Sequence, residues 1–523
     1  MSIHSIIPRP SRINFASGKF QLTAESRIIA GTENAFEIAT LLTEYLRPAT
    51  GFKLAVQKNA EAVANDIVLY EAGDKCEVYP GFVRENYAIE TDAGILKLRA
   101  ENSTGLARAV QTVRQLFPES IFASSKQDGA DWSFESVNIE DEPAFCWRGM
   151  LLDVGRYFYS AAEVCRLIDL FALHKLNVLH LHLTEDQGWR IEIKRYPRLT
   201  EIGSTRKCTL KGYHDVTPRQ YDDHPYSGFY TQDEIRTIVE FAARRHIMVV
   251  PEIDMPGHMQ AAIAAYPELG NHPEFQHEVR CIWGVSKHIL NVRDTTVKFM
   301  KNVISEVLEL FPAPFIHIGG DEVPKEEWEL SREAQKLMAE RGLKNEIELQ
   351  RWFIHQIAGH INSHGRRLIG WSEIMDGGTL PENALIMSWH HDDSATRAAK
   401  SGYDAIVADC KYTYFDYYQA NPKFEPLAMG GDLSCEMVYR FNPIPDFLTS
   451  QEQKHIIGGQ GNLWTEYIGN MKYLEYMAFP RSCALGEKLW TPEANTDYAD
   501  FCKRLSKHRK RLEKLNVNAH KLP

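Results

Sequence analysis

From residue 148 onward, short apolar runs rich in β-branched residues alternate with longer stretches whose apolar positions fall three and four apart. The short runs have the length of buried strands, and the longer stretches read as amphipathic helices. Strand candidates are Met150 to Val154, Val178 to Leu183, Met248 to Ile253, Phe315 to Ile318, Leu368 to Trp371, Leu385 to Trp389, Ala405 to Ala408 and Ile456 to Gly458. The helical spacing runs over Ala161 to Leu173, Gln232 to Arg245, Glu346 to Ser363 and Leu474 to Leu489. Strands alternating with helices over roughly 350 residues predict an α/β domain of the (β/α)8 TIM-barrel kind, within its insertion range. An open doubly wound sheet is the rival, but no G-x-G-x-x-G follows the first strand.

The first part of the chain has another rhythm. Ile67 to Tyr70, Tyr87 to Glu90 and Gly94 to Ala100 read as strands separated by turns, and Gly105 to Leu116 as an amphipathic helix. Residues 1–140 therefore predict a smaller α+β accessory domain, and residues 141–523 the barrel. The polar stretch from Ser124 to Asp131, followed by Glu140-Asp141-Glu142-Pro143, supplies the boundary.

Composition narrows the class without choosing a function. The 523 residues are 44% hydrophobic and 25% charged, which excludes disordered and fibrous chains. Net charge is −11, and the one basic cluster, Lys507-His508-Arg509-Lys510-Arg511, lies on a Leu505/Leu512/Leu515 helical pattern. It reads as a solvated helix face, so no nucleic-acid partner is expected. No apolar stretch has membrane-spanning length. The start, Met1 to Pro8, lacks a charged segment followed by an apolar one, which reads as cytoplasmic, or as periplasmic or secreted if a leader has been removed. Nine cysteines form no C-x-x-C pair, so neither a zinc site nor a disulfide framework is expected, and most read as small core residues.

The chemistry gathers where a barrel keeps it, at the carboxyl ends of the strands. Strand one is preceded by Arg148, carries Asp153 and is followed by Arg156. Strand two runs into His182-Leu183-Thr184-Glu185-Asp186-Gln187-Gly188-Trp189, and strand three gives Glu252, Asp254 and His258. Strand four ends in Gly319-Gly320-Asp321-Glu322. The fifth and sixth give Trp371, Glu373 and Trp389, the seventh Tyr414 and Asp416, the eighth Trp464 and Glu466. Asp321 could simply cap a turn, each Trp could be rim packing, and His182 could be a core histidine. Their recurrence at one end of successive strands is what those separate accounts leave unexplained. Aromatic walls with carboxylates that accept hydroxyl hydrogen bonds suit a sugar, which offers apolar C–H faces and O–H donors. His182, Asp254 and His258 could also be read as metal ligands, or as a proton-tuning network behind a catalytic acid. Glu252 could be structural.

Taken together these residues resemble glycoside hydrolase family 20, the β-N-acetylhexosaminidases. The likeness runs from Ile7-Pro8-Arg9-Pro10 to Leu489-Trp490 and is most specific over Arg148 to Asp153, His180 to Trp189, Pro251 to His258, His317 to Glu322 and Gly459 to Glu466. Two departures stand out: Glu185 where Asp is usual, and Gly461 where Ala is usual. The resemblance implies an exo-acting, retaining, substrate-assisted glycosidase acting on terminal GlcNAc or GalNAc of an oligosaccharide or glycoconjugate, with no cofactor and no metal. It implies Glu322 as acid/base, the substrate's acetamido oxygen as nucleophile, Asp321 as its electrostatic partner and Tyr414 as its orienting donor. Asp186 and His258 would relay to Glu322 with Asp254 nearby. Trp371, Trp389 and Trp464 would wall the sugar, and Arg148, Asp416 and Glu466 would bind its hydroxyls. The rivals are a catalytically silent carbohydrate-binding protein on the same scaffold and a metal-dependent barrel hydrolase, which a chelator would distinguish.

Overall fold

The computed structural model describes residues 5–73 and 76–521; Met1 to His4, on which half of the leader reading rests, lie outside them. Eight parallel strands close a barrel in chain order: β1 (Trp147–Asp153), β2 (Val178–His182), β3 (Met248–Glu252), β4 (Phe315–His317), β5 (Arg367–Trp371), β6 (Leu385–Ser388), β7 (Asp404–Val407) and β8 (Ile456–Leu463). Each overlaps a predicted run, although β1 begins three residues earlier and β8 runs on to Leu463, five residues beyond the predicted Gly458. Side chains fill the interior and helices cover the outside, so β1, β2, β6 and β8 are buried along their whole length, including polar residues such as His180, His182, Gln460 and Asn462.

Helices Ala161–Leu173 and Glu346–Ser363 form over the predicted residues. Ser160 and Thr231 open their helices with reciprocal capping boxes to Glu163 and Glu234. The pattern over Leu474 to Leu489 divides into two helices, Met471–Ala478 and Arg481–Trp490. Pro480 lies at the break: it has no N–H to donate, and its ring would clash with the preceding turn.

The accessory domain is a seven-stranded mixed sheet, from Arg12–Gln21 at one edge through Ser133–Asp141, Tyr87–Asp92, Ile95–Ala100, Ile67–Glu71 and Arg27–Ala30 to Ala55–Lys58. Helices Glu33–Thr50 and Ser103–Leu116 pack on it, and the second also meets the barrel helix Ala161–Leu173. Under the barrel the two domains share buried charge. Glu85 accepts from Arg108 Nε at 2.6 Å, Arg148 Nη2 at 2.5 Å and Asn177 Nδ2 at 3.0 Å. Asp141 accepts from Lys175 Nζ at 2.7 Å and Trp490 Nε1 at 3.0 Å.

The basic cluster at the C-terminal end is not a fully solvated face. Within helix Tyr498–Lys514, His508 and Arg511 are buried, and Arg511 donates to the Ser5 carbonyl at 2.6 Å and the Gln115 carbonyl at 2.7 Å. A guanidinium with several donors can satisfy stray carbonyls in an interface, a role the helical pattern of leucines does not announce. No described helix is long and apolar enough to cross a membrane.

Candidate active site

The paired carboxylates sit where β4 breaks down. Gly319 (φ 64°), Gly320 (φ 94°) and Glu322 (φ 48°) are all left-handed, which turns two neighbours that a regular strand would send to opposite faces into one pocket. Gly319 admits no side chain, since a Cβ there would lie 1.8 Å from Asp254 Oδ1. That close approach lets Asp254 Oδ1 accept the Gly320 N–H at 3.1 Å. Glu322 and His258 (φ 52°) hold the same backbone shape with side chains attached, a strain of about 1–3 kcal/mol each that persists only where surrounding structure enforces it.

A cavity of about 240 Å³ opens above them, small beside the usual ligand pockets of about 300–1,000 Å³. Asp321, Glu322, Tyr414, His258, Trp371, Trp389, Asp416, Trp464, Glu466 and Asp254 all line it. The aromatic rings form a box: Trp389 lies nearly parallel to Tyr414 at 6.0 Å, Tyr414 is 6.3 Å from Trp464, and Trp464 is 5.9 Å from Trp371. Trp371 Nε1 donates to Glu252 at 3.0 Å and Trp389 Nε1 to Glu373 at 3.0 Å, which fixes the outer edges of two walls. Glu322 faces the mouth, its side chain 42% exposed.

Two expected members lie elsewhere. Arg148 is 0% exposed and belongs to the accessory-domain interface, bound to Glu85 and to the carbonyls of Phe145 and Lys175. It stands at the start of β1, and five residues of strand put it about 17 Å from the carboxyl end. Arg156, just beyond that end, lines the pocket instead, with Nη2 3.1 Å from Glu185 and 3.8 Å from Glu466. Its position after strand one was the available signal. Asp186 does not line the cavity: it accepts the backbone N–H groups of Gln260 and Ser286 and stays 3.7 Å from His258 Nδ1. Glu185 is the direct partner of His258, at 2.9 Å. Glu185 ends one strand of a short hairpin and Asp186 opens its turn, so the two side chains leave in different directions and only Glu185 bonds the histidine. His258 Nε2 in turn lies 3.5 Å from Glu322 and 3.7 Å from Asp321. Glu185, His182, Tyr417 and Met429 complete the lining; the last two come from the segment after β7, whose path no periodicity reveals.

The electrostatics are those of an unsatisfied site. Asp321 Oδ1, Asp416 Oδ1 and Glu466 Oε2 are buried without a hydrogen-bond partner among the described residues. Burial, reinforced by Asp254, pushes the Asp321 carboxyl well above its ordinary range. Burial and the neighbouring Glu466 do the same to Asp416. Glu466 is raised by burial against the pull of Arg156. Asp254 is pushed up to about 8, chiefly by burial. Glu322 goes the other way: the neighbouring His258 ring, 3.5 Å away, lowers it, against the opposing effect of burial. Ligand atoms of Asp254, His258 and Asp321, and of His182, Glu252 and Asp254, each come within 4.8 Å of one another, the spacing of a metal cluster. In the second set the 2.6 Å contact from His182 Nδ1 to Glu252 requires a ring proton there, which removes that nitrogen as a ligand.

The chain matches the models of the glycosyl hydrolase family 20 catalytic domain over residues 145–493 and of domain 2 of that family over residues 4–142. It is 39% identical over 518 residues to a beta-hexosaminidase of Porphyromonas gingivalis, covering 99% of this chain and 64% of that protein's length. Its structure is similar to that of a beta-N-acetylhexosaminidase from Streptomyces coelicolor, with a TM-score of 0.85, 29% identity and coverage of 100% and 98% of the two chains. It is equally similar to a mutant beta-hexosaminidase of Streptomyces plicatus in complex with product (GlcNAc), at TM-score 0.85, 30% identity and coverage of 100% and 97%.

Proposed function

The chain belongs to glycosyl hydrolase family 20, and on that premise we propose that it is an exo-acting, retaining β-N-acetylhexosaminidase that removes terminal β-linked GlcNAc or GalNAc by substrate-assisted catalysis. The observation that carries this reading is the pairing of Asp321 and Glu322 against an aromatic box whose carboxylates have unpartnered oxygens. An acetamide fits between Trp371, Tyr414 and Trp464, with Asp321 free to accept its N–H and Tyr414 available to donate to its oxygen. Held there, the acetamido oxygen is an intramolecular nucleophile, which spares the entropy of bringing a second group to the anomeric carbon. Glu322 at the mouth protonates the departing oxygen and later takes a proton from water, and two displacements on one carbon retain its configuration. Asp416, Glu466 and Arg156 take the ring hydroxyls. Their closed arrangement in a cavity of about 240 Å³ leaves room for one sugar and favours exo action.

The reading also requires a change of protonation. Set by the protein's own groups, Asp321 is the carboxyl inclined to keep its proton and Glu322 the one inclined to lose it. An acetamide N–H donated to Asp321 favours its anion, and a sugar that excludes water from Glu322 disfavours its charge, so substrate binding drives both groups toward the states the reaction needs.

Nitrophenyl glycosides test this directly. The β-N-acetylglucosaminide or β-N-acetylgalactosaminide is expected to be hydrolysed with retention and the β-glucoside almost not at all, since it has no nucleophile to offer. Comparable turnover of the glucoside, or a fluorosugar trapped covalently on Asp321 by mass spectrometry, would overturn the proposal.

A further inference from the structure

Beneath the pocket floor, Glu252 ends β3 fully buried and collects donors on both oxygens. Trp371 Nε1 donates to Oε1 at 3.0 Å, while His182 Nδ1 lies 2.6 Å and His180 Nε2 3.0 Å from Oε2. Gln460 donates to His180 Nδ1 at 3.0 Å, so the proton of that ring sits on Nε2, close to Glu252 Oε2 but not aligned with it. His182 spends its Nδ1 proton on Glu252 and has a second nitrogen left over. That Nε2 is buried, lacks an aligned partner and belongs to a ring lining the pocket. Glu185 Oε2, 3.5 Å away, is buried and partnerless too. Both residues are 1% exposed.

A neutral His182 would set a lone pair against the Glu185 carboxylate. With an anion at each nitrogen, the doubly protonated ring is favoured, and Nε2 becomes a donor. Burial alone would strip that second proton, but Glu252 and Glu185 outweigh it and hold the ring well above its usual range. A donor and an acceptor left open side by side are the complement of one hydroxyl group, which accepts and donates through a single oxygen. His182 meets Trp464 edge to face at 5.0 Å on one side, and on the other Glu185 is held by Arg156. It thus lies between the walls assigned to the acetamide and the group assigned to the hydroxyls.

We propose that His182 is a substrate-binding residue, oriented by Glu252: its Nε2–H donates to the hydroxyl beside the acetamido-bearing carbon, the sugar 3-OH, which donates in turn to Glu185 Oε2. This deepens the hexosaminidase reading and rests on it. Glu252 touches no substrate and is a positioning residue, holding His182 and Trp371 at once. The consequence is specificity for a free 3-OH. A 3-O-alkylated amino sugar, such as one carrying a lactyl ether, cannot donate to Glu185 and brings bulk into a buried corner.

The test is a cycle of enzyme and substrate changes: wild type, His182→Gln and Glu252→Gln against nitrophenyl N-acetyl-β-glucosaminide and its 3-, 4- and 6-deoxy analogues. A hydrogen bond to a charged group predicts that the 3-deoxy analogue costs wild type about 10–100-fold in kcat/KM. His182→Gln should cost a similar factor on the parent sugar and less than about 3-fold more on the 3-deoxy analogue, while its losses add in full on the other two. Glu252→Gln should erase the same 3-OH preference although it lies outside the site. Should either variant fail to fold by circular dichroism, His182→Asn and Glu252→Asp carry the cycle. Fully additive losses on the 3-deoxy analogue in an active enzyme overturn this inference alone. A wild type inert toward every N-acetylhexosaminide overturns the functional reading and this inference with it.

Discussion

The barrel buries charge at both ends, and the two ends treat it oppositely. At the bottom, Glu85 and Asp141 have donors on both oxygens, from Arg108, Arg148 and Asn177 in one case and from Lys175, Tyr87 and Trp490 in the other. At the top, Asp416 and Glu466 are also buried and the Asp321 side chain is 15% exposed, but all three keep an oxygen without a partner among the described residues. Burial alone would raise the Glu85 carboxyl, yet Arg108 and Arg148 more than reverse this and hold it down to about 2. At the top, burial prevails and the same residue types are pushed upward. Leaving a buried polar group unpaired costs about 1–3 kcal/mol, so a fold retains such groups where a ligand completes them. Buried charge as such therefore does not mark function; the missing partner does.

The largest test removes the group on which the top depends. Glu322→Gln is expected to fold with an unchanged melting temperature and to lose about 10²–10⁴-fold in kcat on disaccharides with poor leaving groups. Activated aryl glycosides, which need less protonation, should lose less. Wild-type turnover of a disaccharide by this variant would remove Glu322 from the acid role and blur the contrast between the two ends.

The counterpart at the bottom is Arg148→Met. It strips one of two cations from the buried Glu85 and leaves Arg108, so the loss of stability should be smaller than the roughly 3–5 kcal/mol of a fully unpaired buried charge. KM for a nitrophenyl substrate should stay near the wild-type value in protein that remains folded, because the pocket lies at the other end of β1. A large rise in KM without loss of stability would return Arg148 to the substrate site.

That residue also marks where the sequence could be read and where it could not. Strand order and the barrel followed from apolar runs of strand length, because a strand covered on both faces has few polar positions to confuse the pattern. The carboxyl-end rule then gathered Asp321, Glu322, Tyr414, Asp416 and Glu466 with no knowledge of distance. It offered no way to choose between Arg148 and Arg156 beyond their places before and after strand one, and the family likeness fell on the motif that begins with the first. Glu185 and Asp186 were harder still, since adjacent acids differ only in which face of a short hairpin each occupies, a choice set by tertiary contacts with His258 and Gln260. Glu252 and His182 were legible as types but not as a pair, because their contact joins two strands 70 positions apart.

Acid titration separates the ends more gently. Glu85 has a folded-state pKa near 2 against an ordinary 4.5, so its contribution is fully present above about pH 4.5 and is lost as pH falls through about 2. Two and a half units correspond to about 3 kcal/mol. Urea midpoints measured from pH 6 to 2 should fall with wild type, and fall less steeply in Glu85→Gln from a lower starting stability. Parallel curves would mean that Glu85 does not govern this arm.

The smallest effect has the opposite sign and belongs to the top. Asp254 has a folded-state pKa of about 8 against an ordinary 3.8, chiefly because it is buried. Between those values the native state binds more protons than the unfolded one, so stability falls as pH rises from about 4 to about 8. Asp254→Asn keeps an oxygen for the Gly320 N–H, bonded at 3.1 Å in the parent, and cannot ionise. About four units would be worth about 6 kcal/mol for an isolated group, but Asp254 shares its proton with the carboxylates beside it, so the substitution should stabilise the protein by about 1–2 kcal/mol at pH 8 and by almost nothing at pH 4. Thermal melts of the two proteins across that range would show it as curves that meet in acid and diverge toward base. An equal gain at both pH values would trace the effect to packing, and no gain at pH 8 would mean that Asp254 is not the carboxyl whose burial the site maintains at the expense of stability.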